Sequence, residues 1–270
     1  MPGKKILMLV GDFTEEYEIF VFQQAMEAVG HTVHIVCPDK KTGDILKTSL
    51  HDFEGDQTYT EKLGHNVILN KTFAKADPAD YDAVYCAGGR GPEYIRIDKR
   101  VQAIVRHFHE ADKPIFTICH GVQILIAVDG VVTGKEVAAL QYCEPEVRLA
   151  GGIYIDVPPN GSHIHGKLVS AKGWPGLAAF IRDCLTVLGT GITHSDDGVA
   201  AKPAKAEKPA KVEKPAKVEK PAKVDKPAKA EKPPKAPKTA AKAAASDSKP
   251  APEPTPSSPR IRRTRKLESA

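Results

Sequence analysis

The segment Lys113-Pro-Ile-Phe-Thr-Ile-Cys-His-Gly121 is the part of the sequence that most constrains the fold. The apolar run 114–118 has the length of a buried strand, and residues 121–128 predict a helix directly behind it. Cys119 and His120 therefore lie in a tight strand-to-helix turn, a geometry that lifts a nucleophile out of a strained backbone. We predict that Cys119 is this nucleophile, with its thiol pKa lowered by the positive end of the helix. The alternative is a small, buried, inert side chain.

Strand and helix signals alternate over the first 190 residues. Strands are predicted at 5–10, 31–37, 81–87, 114–118, 137–140, 152–157 and 166–171, and helices at 15–29, 99–111, 121–128, 144–149 and 177–188. Residues 42–62 are polar and are predicted to form a loop or hairpin insertion. This alternation predicts an α/β sandwich, with helices on both faces of a mostly parallel sheet.

Several polar or glycine residues directly follow predicted strand ends. In such folds the site lies beyond the carboxyl ends of the strands. We therefore expect one pocket to be lined by Asp12, Glu18, Gly88, Gly89 and Cys119.

The first helix opens with three acidic residues. Acidic side chains in the first turn of a helix interact favourably with its dipole, and this accounts for Glu15 and Glu16. Glu18 lies a turn further on, between apolar neighbours, where partial burial would raise its pKa and make it a general acid or base.

Four further residues fit the chemistry of a cysteine nucleophile. Gly88 and Gly89 allow backbone N–H groups to approach a substrate as an oxyanion hole requires. His120 is expected to assist proton transfer or only to cap the turn. Glu93 would orient the histidine or remain a surface acid.

Composition separates the chain into two parts. Residues 201–270 carry 20 Lys and Arg against 8 Asp and Glu, whereas residues 1–200 carry 19 against 26. The chain thus consists of an acidic body and a basic tail. We place the body at residues 1–192 and the tail at residues 193–270.

The five cysteines are widely spaced and include no CxxC pair, which favours a reducing compartment. No apolar run has the length of a membrane span or of a signal peptide. We expect a cytoplasmic protein without a membrane partner.

The tail repeats a Lys-Pro-Ala-Lys-Ala/Val-Glu/Asp hexad from Lys202 to Glu231 and ends in the basic cluster 260–266. Frequent proline and scarce apolar residues predict disorder. The cluster resembles a nuclear-localisation or nucleic-acid-binding patch. A nucleic acid or acidic protein surface, with nuclear or nucleoid localisation, is one expectation, and a solvated spacer is the other.

Two segments together resemble the ThiJ/PfpI superfamily: Ala87-Gly-Gly-Arg-Gly-Pro-Glu93 and Ile118-Cys-His-Gly121, with Glu18 upstream. The segment 51–59 resembles more narrowly the plant-type glyoxalase III branch. The resemblance implies a flavodoxin-like three-layer sandwich related to class I glutamine amidotransferases. It also implies Cys119 as nucleophile, Glu18 as its proton partner, His120 as adjacent base, and Glu93 as an acid supplied across a homo-oligomer interface.

The activity implied by this resemblance is a glutathione-independent glyoxalase that converts methylglyoxal or glyoxal to a 2-hydroxy acid. No cofactor or metal is expected in that reaction. A PfpI-type cysteine peptidase, a protein deglycase and a redox-sensing chaperone are the alternatives. The segment 170–176 lacks a histidine that many relatives carry there, and many plant-type relatives contain two tandem copies where this chain has one.

His163 and His165 lie on one face of a predicted strand and form a possible metal pair. Because the sequence places no cysteine or acid beside them, we expect no metal site there.

Removal of residues 201–270 should leave folding stability and catalysis nearly unchanged. Attraction between the acidic body and the basic tail is screened beyond about 8 Å at physiological ionic strength. The truncated protein should be retained less strongly on a heparin or DNA column than the full chain. Loss of activity in the truncated protein would contradict the division into body and tail. Equal retention of the full and truncated proteins on the column would favour the interpretation of the tail as a solvated spacer.

Overall fold

The structure, a computed structural model, describes residues 2–193. The basic tail, after its first residue, lies outside the described residues. The strands are β1 (Lys5–Leu9), β2 (Thr14–Glu15), β3 (Thr32–Val36), β4 (Ile45–Leu46), β5 (Thr48–Asp52), β6 (Thr60–Leu63), β7 (Val67–Ile68), β8 (Ala83–Cys86), β9 (Ile115–Ile118), β10 (Glu136–Val137), β11 (Ile153–Tyr154), β12 (Ser162–His165) and β13 (Leu168–Ala171).

Six α-helices and five short 3₁₀ turns connect the strands of the described part. The helices are α1 (Glu16–Ala28), α2 (Gly91–Ile95), α3 (Lys99–Glu110), α4 (Val122–Ile126), α5 (Glu144–Leu149) and α6 (Leu177–Val187). The 3₁₀ turns are Phe73–Lys75, Pro78–Asp80, Cys119–Gly121, Gln141–Cys143 and Trp174–Gly176. Within residues 2–193, no helix is long and apolar enough to cross a membrane.

The central sheet has the strand order β12-β13-β9-β8-β1-β3. All neighbouring strands run parallel except β12, which pairs antiparallel with β13 at one edge. The carboxyl ends of β1, β8 and β9 consequently meet at one edge of the sheet. This arrangement confirms the predicted mostly parallel α/β fold.

Each face of the sheet buries its own apolar cluster. Alternate β1 residues point to opposite faces, so Leu7 packs with α3 and α4 whereas Met8 packs with α1 and α6. The predicted inward residues of α3 are buried; they are Val101, Ile104, Val105 and Phe108. Helices therefore cover both faces, as the sequence predicted.

Two local predictions need correction, and the hairpin alternative for the insertion at 42–62 is confirmed. The helix predicted at 121–128 is a 3₁₀ turn followed by α4, which has only five residues. The strand predicted at 137–140 is limited to β10, after which the chain enters a 3₁₀ turn. The insertion at 42–62 contains a regular antiparallel hairpin of β5 and β6, whose turn lies between residues 53 and 59.

Replacement of Phe22 by alanine should destabilise the fold strongly. Phe22 is fully buried, and its ring stacks on that of Tyr85 with a centroid distance of 4.0 Å. Removal of a buried aromatic ring costs about 3–5 kcal/mol, measurable by urea unfolding. The matched control is Leu149→Ala, since Leu149 is 88% exposed and should change stability by less than about 0.5 kcal/mol. Similar losses in the two variants would contradict the assignment of the core.

Candidate active site

Cys119 lies at the end of β9 with its backbone at φ +56°, in the left-handed region that a non-glycine residue rarely adopts. The turn packs tightly on β8, because a Cβ at Gly121 would lie 2.1 Å from the carbonyl oxygen of Cys86. The Cys119 side chain is partly exposed and faces a pocket. The geometry is that of the strained nucleophile turn expected from the sequence.

Glu18 is fully buried on α1. Its Oε2 accepts a hydrogen bond of 2.6 Å from the Gly88 N–H, whereas Oε1 has no hydrogen-bond partner among the described residues. Burial, followed by the negative charge of Glu15, raises the pKa of Glu18 well above its usual value. A carboxyl group in these surroundings favours its protonated form.

The Gly88 N–H is thus bound to Glu18 and is not the oxyanion donor that the sequence predicted. A Cβ at this position would lie 2.6 Å from the Cys119 Cβ and 2.7 Å from Glu18 Oε2. Glycine is required here because it lets the carboxyl group and the thiol occupy the same small space.

Two other amides are available to an oxyanion. The backbone N–H groups of Gly89 and His120 lie near the Cys119 sulfur and favour its ionised form. Gly89 has φ +73°, and a Cβ there would lie 2.4 Å from the Glu15 amide nitrogen. These two donors converge on the sulfur, where a bound carbonyl oxygen would develop charge.

The thiol does not have the lowered pKa that its position before a helix suggested. Burial raises the pKa of Cys119 well above its usual value, a charged Glu18 raises it further, and the Gly89 and His120 N–H groups act in the opposite direction. The five-residue α4 contributes too little to reverse this balance. A charged Glu18 therefore disfavours ionisation of Cys119, and a protonated Glu18 does not.

His120 is placed to exchange a proton with the thiol. Its Nδ1 lies 3.5 Å from Cys119 Sγ. Burial lowers the pKa of His120, and the charge of His51 lowers it further. A neutral imidazole next to a thiol can act as a general base.

Glu15, His51 and Glu61 form a hydrogen-bonded network at the side of the pocket. The His51 ring lies between two carboxylates, with Nδ1 2.7 Å from Glu15 Oε2 and Nε2 3.1 Å from Glu61 Oε2. Burial favours neutral His51, but the hydrogen bonds to Glu15 and Glu61 outweigh it and raise the pKa of the imidazole. Glu15 is only 2% exposed, so its role extends beyond the helix dipole to which the sequence assigned it.

Glu93 and Asp12 lie outside this set. Glu93 is exposed on α2 and makes no hydrogen bond to His120 within residues 2–193, although its charge raises the pKa of the imidazole. Asp12 pairs with Lys40 at 2.7 Å and does not line the pocket. Of the five residues expected to converge, Glu18, Gly89 and Cys119 line the pocket, and Gly88 lies behind it.

The pocket has a volume of about 240 Å³ and mostly apolar walls. The β5–β6 hairpin supplies Phe53 and Tyr59, and the chain after β13 supplies Lys172 and Trp174. The Trp174 indole N–H donates to the His51 carbonyl oxygen at 3.0 Å and joins these two segments. The sequence did not assign Phe53, Tyr59 or Lys172 to the pocket, and the aromatic residues within the polar insertion were the available signal.

The strained cysteine, its buried carboxyl group and the adjacent histidine define a cysteine-nucleophile site on an α/β sandwich. Residues 4–187 match the DJ-1/PfpI family. The chain belongs to this family, which includes cysteine-based enzymes.

Three relatives illustrate the match. Protein DJ-1 homolog D of Arabidopsis thaliana is 42% identical over 188 residues, covering 69% of this chain and 48% of the relative. Protein/nucleic acid deglycase 2 of Escherichia coli is 30% identical over 187 residues, covering 69% of this chain and 99% of the relative. The structure of Schizosaccharomyces pombe DJ-1 aligns with a TM-score of 0.54 at 19% identity, covering 67% of this chain and 90% of that one, and it supports the fold alone.

The chain spans about half the length of the Arabidopsis relatives, with 48%, 51% and 46% of their sequences covered. It spans nearly the whole length of the E. coli deglycase.

Glu18→Gln should change the pH dependence of stability in a defined direction. Because the pKa of Glu18 is raised in the folded state, its contribution is greatest below the unfolded value of about 4.5 and is lost as pH rises towards the folded pKa. Glutamine does not titrate, so the stability of Glu18→Gln relative to wild type should increase with pH above about 4.5. Urea unfolding from about pH 3 to pH 8 measures this difference.

Glu16→Gln is the matched control with the opposite sign. Burial acts to raise the pKa of Glu16, but hydrogen bonds from His65 outweigh it and lower the pKa. This variant should lose stability relative to wild type as pH rises through the range below about 4.5. Parallel pH profiles for wild type and Glu18→Gln would show that Glu18 is not held protonated by burial.

Proposed function

We propose that this protein is a glutathione-independent glyoxalase that converts methylglyoxal or glyoxal to a 2-hydroxy acid. The observation that carries the proposal is the buried Glu18 carboxyl group, with Oε1 unpartnered among the described residues, next to the Cys119 thiol. Isomerisation of a 2-oxoaldehyde requires a group that carries a proton between adjacent carbon atoms, and a protonated carboxyl group meets this need.

The first half of the reaction forms an enediol on the sulfur. His120 takes the thiol proton as sulfur adds to the aldehyde carbon, C1. The new oxyanion accepts hydrogen bonds from the Gly89 and His120 N–H groups and then takes the proton of Glu18. The Glu18 carboxylate removes the hydrogen from C1 while protonated His120 gives its proton to the oxygen on C2.

The second half releases the hydroxy acid. Glu18 returns its proton to C2, and His120 removes the proton from the oxygen on C1, which leaves a thioester. Water adds to that thioester, giving one proton to Glu18, and the departing sulfur recovers its proton from His120. The sum is one dicarbonyl and one water for one 2-hydroxy acid, with all three side chains restored.

The pocket supports a small substrate. Its volume of about 240 Å³ lies below the roughly 300–1,000 Å³ typical of drug-sized ligands. Phe53 and Tyr59 line it from the hairpin, and the Tyr59 ring lies 5.8 Å from that of His120, which limits access for an extended peptide. Peptide hydrolysis also gains nothing from a group that transfers hydrogen between carbon atoms.

A protein deglycase is the second candidate, because the E. coli relative carries that name and spans 69% of this chain. The same thiol and N–H groups would act on an early carbonyl adduct. The partly exposed Cys119 leaves one side open to a larger molecule.

Purified full-length protein should form lactate from methylglyoxal without glutathione. Cys119→Ala should abolish the reaction, and Glu18→Ala should slow it by about 10²–10⁴-fold, the range expected for a general acid–base. Cys37→Ala is the matched control, because Cys37 is buried outside the pocket and should retain the wild-type rate within about twofold. Nuclear magnetic resonance measures lactate directly.

Each contrary result has a distinct meaning. Lactate formation by Cys119→Ala would contradict the thiol mechanism. Release of carbonyl compounds from glycated amino acids without lactate formation would favour the deglycase, and cleavage of casein would favour the peptidase. Oxidation of Cys119 by peroxide without any turnover would favour a redox sensor.

We also propose that Glu93 acts in a homo-oligomer. It lies on an exposed surface beside Tyr94 and Ile97, which are 64% and 76% exposed. Light scattering should detect an oligomer, and Glu93→Ala should lower kcat while the exposed-acid control Glu110→Ala does not. A monomer with full activity would return Glu93 to the role of a surface acid.

A further inference from the structure

Glu136, His163 and His165 come together at the edge of the sheet. The two histidines lie on β12 at positions two apart, so both rings project from the same face. Glu136 lies on β10, and its Oε2 is 2.9 Å from His163 Nε2 and 3.9 Å from His165 Nδ1. The expectation that no acid accompanies this histidine pair was therefore wrong.

The backbone explains why the acid comes from 27 residues earlier in the chain. β12 pairs with β13, and the Ala138 N–H donates a 2.9 Å hydrogen bond to Ser170 Oγ on β13. This bond holds β10 against the edge of the sheet beside β12. The sequence signals are weak over this stretch, and no spacing rule connects Glu136 with the histidines.

We propose that Glu136, His163 and His165 bind a borderline divalent transition-metal ion, with Zn²⁺ as the best match. One ligand atom from each residue lies within 4.8 Å of the others. Tetrahedral Zn²⁺ with bonds of about 2.0–2.1 Å requires ligand atoms roughly 3.4 Å apart, so shifts of about 1 Å or less in the two measured separations suffice. Two imidazoles and a carboxylate form a known zinc ligand set, with water at the fourth position.

The surroundings permit entry of the ion. The three side chains are partly exposed, at 43%, 23% and 39% for Glu136, His163 and His165. His165 also borders a second pocket of about 300 Å³. The Nδ1 atom of His165 accepts only a long 3.3 Å hydrogen bond from the Glu136 N–H, and a metal would replace this weak contact.

The site is separate from the cysteine chemistry. The strand register places His165 opposite Leu168 and Leu168 opposite Ile115, at the start of β9. Cys119 follows the other end of β9, roughly 13 Å further along at about 3.3 Å per residue. A metal here would connect β10 to the outermost strand of the sheet.

Zinc binding to chelator-treated, full-length Cys119→Ala protein tests the proposal, because this background removes the reactive thiol as a competing ligand. Calorimetry should show one equivalent of Zn²⁺ bound through residues 136, 163 and 165. Glu136→Gln and His163→Gln should each weaken binding at least tenfold, which corresponds to about 1.4 kcal/mol. Zinc should also raise the thermal midpoint of the background protein but not that of Glu136→Gln.

His65→Gln is the matched control, since His65 also pairs with a carboxylate, Glu16, at 3.0 Å but has no second imidazole in the pair. It should bind zinc within about twofold of the background protein. Cobalt substitution should give a spectrum without a thiolate charge-transfer band. Absence of binding at about 1 mM zinc, equal affinity in all variants, or a thiolate band would overturn the proposal. If His163→Gln does not fold, the zinc affinity of Glu136→Gln decides the result, because the Glu136 side chain is partly exposed.

Discussion

Cys119 and Glu18 share one small space, in which a charge on Glu18 disfavours ionisation of the thiol. Burial raises the pKa of both groups, a charged Glu18 raises the pKa of Cys119 further, and contact with the Cys119 side chain acts to lower the pKa of Glu18. Gly88 makes the contact possible, because any side chain there would collide with both residues. The strained turn at Cys119 and the short hydrogen bond from the Gly88 N–H hold the pair together. The thiolate therefore forms more readily while the carboxyl group remains protonated.

The neighbouring charges support this distribution of protons. Glu15, hydrogen-bonded to His51, is the carboxylate whose charge favours protonated Glu18. The positive charge of His51 favours neutral His120. One network beside the pocket thus favours an acidic Glu18 and a basic His120 next to the sulfur. The β5–β6 hairpin contributes His51 and Glu61, so the element that narrows the pocket also sets its electrostatics.

The sequence predicts those features that depend on local periodicity. Buried strands appear as short apolar runs, and the turn at Cys119 appears as a break between a strand and a helix. Glu18 was identified because its neighbours are apolar. Residues that act through contacts distant in sequence carry no such signal: Gly88 binds a carboxyl group 70 residues away, and Glu15 meets a histidine 36 residues away. Glu136 escaped notice for the same reason, since only the pairing of β12 with β13 brings the histidines towards it.

The sharing of one charge between Cys119 and Glu18 can be measured directly. Ultraviolet absorbance, compared between wild type and Cys119→Ala, reports the thiolate at each pH. The infrared difference between wild type and Glu18→Gln reports whether Glu18 is protonated. At every pH up to about 8 where the thiolate is present, the account predicts that the protonated carboxyl band of Glu18 persists. A carboxylate band from Glu18 together with a fully formed thiolate in that range would contradict it.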